Sequence, residues 1–310
     1  MTSTSTIKEH QTTKLLLAFI AIYFVWGSTY LAIRYAVESI PPLLMMGTRS
    51  LIAGLIIVTW SWTRGDKKPK TEHFPSLLII ATSFFLVGHG LLAWAEQTVP
   101  SGLAALLVAS EPAWIAVIES LVVQNYTLGM RGIIGLIVGF VGIALLVVPT
   151  GDFGTGNTDV IGAAAVIIGT LSWSGGAVYS RVAKLPSSPM MAAGFEITIG
   201  GALLLLAGAL FGEISELHTV SLRSLLALLY LIIFGSVIAF TAYVWLLSRI
   251  SATRISTHTY VNPVIAVLLG WILADEPLTF LTLVAAAGII LSIYLVFSDR
   301  AHTKNELADK

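Results

Sequence analysis

Cysteine is absent from this 310-residue chain, and charged side chains are scarce, at 11% of the sequence. Without cysteine there is no disulfide and no thiolate metal site, so the sequence says nothing about the redox compartment. Hydrophobic residues, by contrast, make up 56% of the chain, which is more than soluble globular domains carry. The composition therefore predicts a protein that crosses a membrane many times.

Nucleotide-binding and metal-binding motifs are also missing. No Gly-Lys pair occurs, and neither a His-Glu-x-x-His sequence nor a dinucleotide-binding glycine fingerprint is present. A Gly-Lys pair is part of the P-loop, His-Glu-x-x-His is a zinc-binding helix motif, and the glycine fingerprint binds dinucleotides. We therefore expect no cofactor and no metal, and an ATP-driven pump within this chain is excluded.

Ten apolar segments follow a polar tail of residues 1–14, and a second polar tail occupies residues 298–310. A helix needs about 20 residues to cross a hydrocarbon core about 30 Å thick. Short links between several segments favour antiparallel neighbours, so we expect an all-α bundle of ten transmembrane helices. The segments are 15–34, 43–63, 75–98, 100–123, 130–149, 160–183, 189–211, 222–248, 251–274 and 279–297.

Basic residues are unevenly divided between the two sides of this bundle. Of the 17 Lys and Arg residues, 14 fall on the side that carries both termini, and only Arg34 and Arg223 fall on the other. Arg49 lies within a predicted span. Because short cytoplasmic loops are enriched in Lys and Arg, the pattern predicts cytoplasmic termini and a multi-pass protein of the inner, or plasma, membrane.

The second half of the chain repeats the first. Each unit, 15–149 and 150–297, holds five predicted spans, and an odd number inserts the second copy upside down. Inverted repeats of this kind are typical of transporters whose substrate site lies near the midplane between the halves. Matches at an offset of 147 are Trp26 with Trp173, Arg34 with Arg181, Gly47 with Gly194 and Gly54 with Gly201, and at an offset of 151 they are Trp94 with Trp245 and Pro112 with Pro263.

Three stretches of the repeats are residues 26–34 (WGSTYLAIR), 95–102 (AEQTVPSG) and 260–270 (YVNPVIAVLLG). They resemble the EamA-type repeats of the drug/metabolite transporter superfamily, and are most similar to its YedA-like and PecM-like exporters. The resemblance implies ten helices, a central cavity between the halves, and export of small metabolites driven by protons or another gradient. One departure is that an acid follows the ninth helix, at Asp275 and Glu276, but not the fourth.

Glu111 and Pro112 lie about eleven residues into the fourth predicted span, and Asn262 and Pro263 occupy the same place in the ninth. A rise of about 1.5 Å per residue puts them about 16 Å deep, near the midplane. A carboxylate at that depth is costly and commonly functional. Glu111 either binds and releases a proton during transport or is a protonated acid hydrogen-bonded to carbonyls that Pro112 leaves free. Both prolines are predicted to kink their helices.

Charged residues inside the spans suggest two ion pairs. Arg49 would pair with Glu96 near the outer surface, because an unpaired Arg at that depth is costly. Glu196, the repeat counterpart of Arg49, would pair with Arg254 or His258 near the cytoplasmic side. Such pairs would act either as an outer and an inner gate or as static tethers.

The other polar and aromatic candidates would line the cavity or simply pack the core. His89 could relay protons or bind substrate, since histidine titrates near neutral pH, and Glu119 is expected to be a solvated end residue. The glycine stripe of the fifth span indicates close helix packing, within the bundle or between protomers, so a monomer and a homodimer both remain open. The remaining candidates for the cavity wall or for coupling are Trp26, Ser28, Trp94, Trp173, Tyr243, His258, Tyr260 and Asn262.

The sequence thus predicts a secondary active transporter, not an enzyme, that exports amino acids, small metabolites or drugs by alternating access, with proton antiport as one form of coupling. An uncoupled facilitator is the alternative. A membrane-embedded enzyme would need polar residues clustered near one interface, whereas here they are spread over both halves. Its partners would be a small organic solute, protons and the lipid bilayer, and no nucleic acid.

Overall fold

A computed structural model describes residues 13–122, 129–147, 159–247, 249, 255 and 257–308. These ranges are helical and contain no strand, which confirms the all-α prediction for them. Eight helices have the length and composition to cross a membrane, and α5 and α9 are shorter apolar helices. The helices are α1 Thr13–Ala36, α2 Pro42–Thr63, α3 Thr71–Ala95, α4 Ser101–Val122, α5 Met130–Val147, α6 Val160–Ser180, α7 Pro189–Leu210, α8 Leu222–Leu246, α9 His258–Ala274 and α10 Phe280–Ala308.

Both repeats use proline and short polar side chains to start their helices. Pro42 and Pro189, which are repeat counterparts, are the first residues of α2 and α7. A proline fits there because its missing N–H has no partner in the first turn anyway. Ser188 caps α7 and Asp159 caps α6, each accepting a hydrogen bond from a backbone N–H of the first turn, as N-cap residues do.

The glycines that recur between the repeats form the contact between α2 and α7. A Cβ atom added at any of the four would come within 3.0 Å of the opposite helix, so only glycine permits this approach. The contact has approximate two-fold symmetry. The residues that face two counterpart glycines are themselves 147 positions apart in the sequence. The pairs are Gly47 with Leu205, Gly194 with Val58, Gly54 with Thr198 and Gly201 with Leu51.

A carboxylate joins each end of the α2–α7 pair. Glu213, which follows α7, accepts hydrogen bonds from the N–H groups of Leu43 (3.1 Å) and Leu44 (2.9 Å) at the start of α2. Asp66, its counterpart after α2, accepts one from the hydroxyl of Ser188 (2.8 Å) just before α7. Each helix therefore ends where the other begins. The two run antiparallel, as an inverted repeat requires.

The glycine stripe of α5 packs against α10. Cβ atoms added at Gly135 and Gly142 would lie 2.9 Å from the Cβ of Leu295 and 3.1 Å from the Cγ1 of Ile289. Gly139 lies between them and faces Ser292. This stripe is therefore used for helix packing within one protomer.

The most enclosed part of the bundle is the first half of α4. All the residues from Ser101 to Leu107 are buried, whereas in α8 and α10 only 33% of the span residues are buried. α4 packs against α9 and α6 of the other repeat and against α1 of its own. A polar group in the middle of α4 is consequently surrounded by both halves of the protein.

Candidate functional site

α4 is interrupted halfway along its length. The regular helix ends at Val108 and resumes at Glu111, and Ala109 and Ser110 form a turn between the two halves. Pro112 has no N–H to continue the helical hydrogen bonds. The Ser110 hydroxyl donates to the carbonyl of Leu107 at 2.6 Å. The break lies in the buried centre of the bundle, and non-helical backbone at membrane depth is tolerated only inside protein or beside a cavity.

Glu111 occupies the start of the second half of α4. Its carboxyl group lies beside the indole of Trp173, on α6 of the second repeat. Tyr30 and Tyr243 are within electrostatic range. Although it is deep in the bundle, the residue keeps part of its surface accessible. Ser174 donates to its backbone carbonyl at 3.4 Å, so Glu111 sits where the repeats meet.

The first aromatic group, which we call the Trp26 cluster, joins α1, α8 and α9. The ring of Trp26 lies 5.3 Å from that of Tyr243 and 5.1 Å from that of His258. The amide of Asn262 lies within hydrogen-bond distance of His258. The Trp26 indole donates to the carbonyl of Gly235 at 3.1 Å, which fixes the ring. Four predicted cavity residues thus meet in one place.

A second group, the Trp173 cluster, joins α6 to α3. Trp173 stacks on Phe84 at 4.2 Å and lies 5.1 Å from His89. His89 also meets the ring of Phe85 at 5.2 Å. Trp26 and Trp173 are repeat counterparts. In each cluster, the tryptophan of one repeat lies beside a histidine of the other repeat. Glu111 is adjacent to Trp173 and within electrostatic range of Tyr243 in the other cluster.

Other predicted wall residues lie outside this arrangement. Trp94 is 43% exposed near the end of α3. Tyr260 packs against Phe297 of α10 at 5.9 Å. The hydroxyl of Ser28 hydrogen-bonds that of Tyr230 at 2.6 Å. Pro263 lies inside α9, which is continuous from His258 to Ala274, so the counterparts of Ala109 and Ser110 in this described range are helical.

The two predicted intramembrane ion pairs are not formed within the described residues. Arg49 Nε donates to Ser236 Oγ at 2.9 Å, because the guanidinium turns toward α8. Glu96 is 1% exposed and its carboxylate has no hydrogen-bond partner there. Arg49 interacts with Glu96 electrostatically but does not form an ion pair with it. Glu196 forms no ion pair in this part of the chain, and Arg254, one of its predicted partners, lies outside it.

Three ion pairs within the described residues join the repeats. Arg223 pairs with Glu38 on the surface, and the other two lie one at each end of the bundle. Arg34 Nε lies 3.5 Å from Glu276 Oε1, and Arg181 pairs with Glu119. Arg34 and Arg181 are repeat counterparts, and each binds an acid of the other repeat. Glu119 is 3% exposed, so the expectation of a solvated end residue is wrong.

Glu276 also caps the start of α4. Its carboxylate accepts hydrogen bonds from the N–H groups of Ser101 (2.7 Å) and Gly102 (2.9 Å), where the partial positive charge of a helix N-terminus favours an anion. Asp275 adopts a left-handed conformation, with φ of 52°, and turns the chain at the end of α9. The sequence shows this acid as a one-sided feature but does not show its partners, which are more than 170 positions away.

Comparisons with known proteins agree with this arrangement. The sequence profile of the EamA-like transporter family matches residues 13–148 and 160–298. The chain is 37% identical over 283 residues to the uncharacterized inner membrane transporter YedA of Escherichia coli (strain K12), covering 90% of this chain and 89% of that protein. It is 29% identical to the uncharacterized transporter YvbV of Bacillus subtilis (strain 168), covering 92% and 91% of the two chains. A crystal structure with 20% identity superposes with a TM-score of 0.62 and covers 93% of this chain and 99% of its own, which shows a shared fold.

Proposed function

Because the chain belongs to the EamA-like transporter family and is a multi-pass protein of the plasma membrane, we propose that it exports a small organic solute by alternating access. The observation that carries this proposal is the break in α4, after which Glu111 lies beside Trp173 in one of two aromatic clusters that each join both repeats. Broken helices at the interface of inverted repeats commonly form the substrate site of secondary transporters.

The chemistry of the site favours solutes that carry a positive charge, an aromatic ring or both. Tryptophan and tyrosine faces attract cations as well as other rings. Trp26, Tyr243 and Trp173 supply such faces, and Glu111 supplies the negative charge. Amino acids, aromatic amines and cationic drugs meet this description. A proton on Glu111 and a solute cation would compete for the same carboxylate, which couples their movement in opposite directions.

In this proposal, the ion pairs at the two ends act as the two gates of alternating access. Opening the bundle at the Arg34 end requires that Arg34 and Glu276 separate, and opening it at the other requires that Arg181 and Glu119 separate. Each pair crosses between repeats, so a rocking of one repeat against the other would break one while keeping the other. These pairs take the gating role that the sequence suggested for Arg49 and Glu196.

The test uses purified protein in liposomes that contain a pH-sensitive dye. An imposed proton gradient is challenged with amino acids, aromatic amines and cationic drugs. Wild type is compared with Glu111→Gln and with Glu72→Gln, whose carboxylate is exposed in the first turn of α3. We expect solute-dependent proton flux in wild type and Glu72→Gln, and none in Glu111→Gln. Solute flux without proton movement in wild type would instead support a facilitator. Unchanged pH dependence in Glu111→Gln would contradict the proposed coupling.

A further inference from the structure

A cleft of about 680 Å³ opens sideways between α1, α2 and α8. Its walls are largely apolar, and several of them face outward, with Leu17 59% and Ile56 44% exposed. Lys14, Trp60 and Trp245 lie at one end of the cleft, where α1 begins and α2 and α8 end. A pocket of this kind is open to the hydrocarbon of the bilayer and basic at the membrane surface.

The same place in the other repeat is closed. Thr241 and Ile57 both line the cleft. Their repeat counterparts are Gly90 and Leu204, and a Cβ added at Gly90 would lie 3.1 Å from the Cδ2 of Leu204. Helices α3, α6 and α7 therefore pack directly where α8, α1 and α2 leave space.

The side of the cleft carries larger residues than the closed side at corresponding positions. Gly169 of α6 lies so close to Gly88 of α3 that an added Cβ would be 3.0 Å from the Gly88 carbonyl oxygen. The counterpart of Gly169 in α1 is Ile22, a fully buried branched side chain packed with Leu246 of α8. Its bulk holds α1 away from α8. The counterpart of Lys14 is Ile161, so the basic group is also one-sided.

The mouth of the cleft carries a concentration of cations and tryptophans. The guanidinium of Arg64 lies 5.0 Å above the ring of Trp60, and that of Arg249 lies 4.2 Å above the ring of Trp245. Lys14 lines the same end. Tryptophan with Lys or Arg is typical of the headgroup level of a bilayer, and basic pockets between spans bind anionic headgroups.

We propose that this cleft binds one anionic phospholipid, with an acyl chain between α1, α2 and α8 and the phosphate at Lys14 and Arg64. The apolar walls exclude a free phosphate ion, and the basic mouth favours an anionic over a zwitterionic headgroup. The acyl chain fills the space that direct helix packing fills in the other repeat. The bound lipid therefore stabilises the α1–α8 contact.

The full-length protein, purified and stripped of lipid, tests this directly. Phosphatidylglycerol and phosphatidylcholine with identical acyl chains are added separately, and binding is followed by native mass spectrometry and by the thermal unfolding midpoint. We expect phosphatidylglycerol to bind in a one-to-one ratio and to raise the midpoint. Lys14→Gln should lower the preference for phosphatidylglycerol about fivefold, which corresponds to about 1 kcal/mol for one basic residue.

Two kinds of control separate this site from a general effect of charge. Lys184→Gln removes a charge from an exposed position at the same end but outside the cleft, and should leave the preference unchanged. Ala242→Phe should abolish binding by filling the cleft. If Ala242→Phe fails to fold, Leu17→Trp, at an exposed position, replaces it as the variant that fills the cleft and should abolish binding.

Three results would overturn the proposal. They are equal binding of the two lipids by wild type, an equal loss of preference in Lys184→Gln and Lys14→Gln, and failure of a photoactivatable phosphatidylglycerol to label residues 14–18, 56–60 or 237–245. The last result would also be expected if another segment of the chain occupied the cleft.

Discussion

Replacing Glu276 by glutamine removes one negative charge from a buried contact between the repeats. The carboxylate accepts hydrogen bonds from Ser101 and Gly102 at 2.7 and 2.9 Å and lies 3.5 Å from Arg34. Glutamine keeps one acceptor oxygen and turns an NH₂ group toward the second N–H. Hydrogen bonds to charged groups contribute about 1.5–3 kcal/mol each, so the variant should weaken the contact by about 2 kcal/mol.

This loss has a measurable consequence if the contact holds the Arg34 end closed. A change of about 2 kcal/mol shifts the ratio of open to closed protein about thirtyfold. Because the chain has no cysteine, a single Leu103→Cys, at a position only 7% exposed beside Gly102, reports opening at that end. Labelling by a membrane-impermeant maleimide should be about thirtyfold faster with Glu276→Gln than without it, provided that opening and closing are fast compared with the reaction of the open form.

The pseudo-symmetric variant Glu119→Gln is the matched control. It weakens the ion pair at the other end, so it should slow labelling at position 103 or leave it unchanged. An equal acceleration by both variants would indicate general destabilisation, which the unfolding midpoint would also reveal. The reasoning is refuted if Glu276→Gln labels at the rate of the parent protein.

Two further predictions concern the α2–α7 contact. Gly201→Leu should prevent correct assembly, because even a Cβ there overlaps the backbone of α2. Gly175→Ala is the control, since its added Cβ enters open space and should be tolerated. Size-exclusion profiles of the two variants test this, and a monodisperse Gly201→Leu protein would contradict it. Hydrogen bonds from Ser61 and Ser188 hold the pKa of Asp66 below its usual value. Its stabilising effect is therefore present above the unfolded pKa of about 3.9 and is lost as the pH falls through the folded pKa. Asp66→Asn should lower the unfolding midpoint at neutral pH and not in strong acid, and a difference that persists in acid would argue against the assignment.

Much of the fold follows from local features of the sequence. The spans could be predicted because hydrocarbon admits only backbone that satisfies its own hydrogen bonds, which demands long apolar helices. The glycine stripe of the fifth span indicated close packing before its partner helix was known. The prediction that Glu111 lies near the midplane rests on the helical rise alone. The resemblance to EamA-type repeats is likewise confirmed by the family match over both halves.

The pairing of charges could not be predicted in the same way. Arg49 and Arg34 are both plausible partners for an intramembrane acid, and the choice depends on which face each helix turns toward its neighbours. The structure directs Arg49 to Ser236 and Arg34 to Glu276. Trp94 was misplaced for the same reason, since its depth in the span gave no information about its direction.

By itself, the sequence determined local features: apolar length marks the candidate spans, and a proline beside an acid marks the interrupted helix. Only the tertiary structure decided which side chains meet. Helix rotation and spacing depend on contacts between residues more than a hundred positions apart, such as Gly201 with Leu51. Gly169 approaches Gly88 closely, whereas its counterpart Ile22 is a buried branched side chain packed with Leu246. Such contacts are absent from any local pattern, because they form only when distant helices pack together.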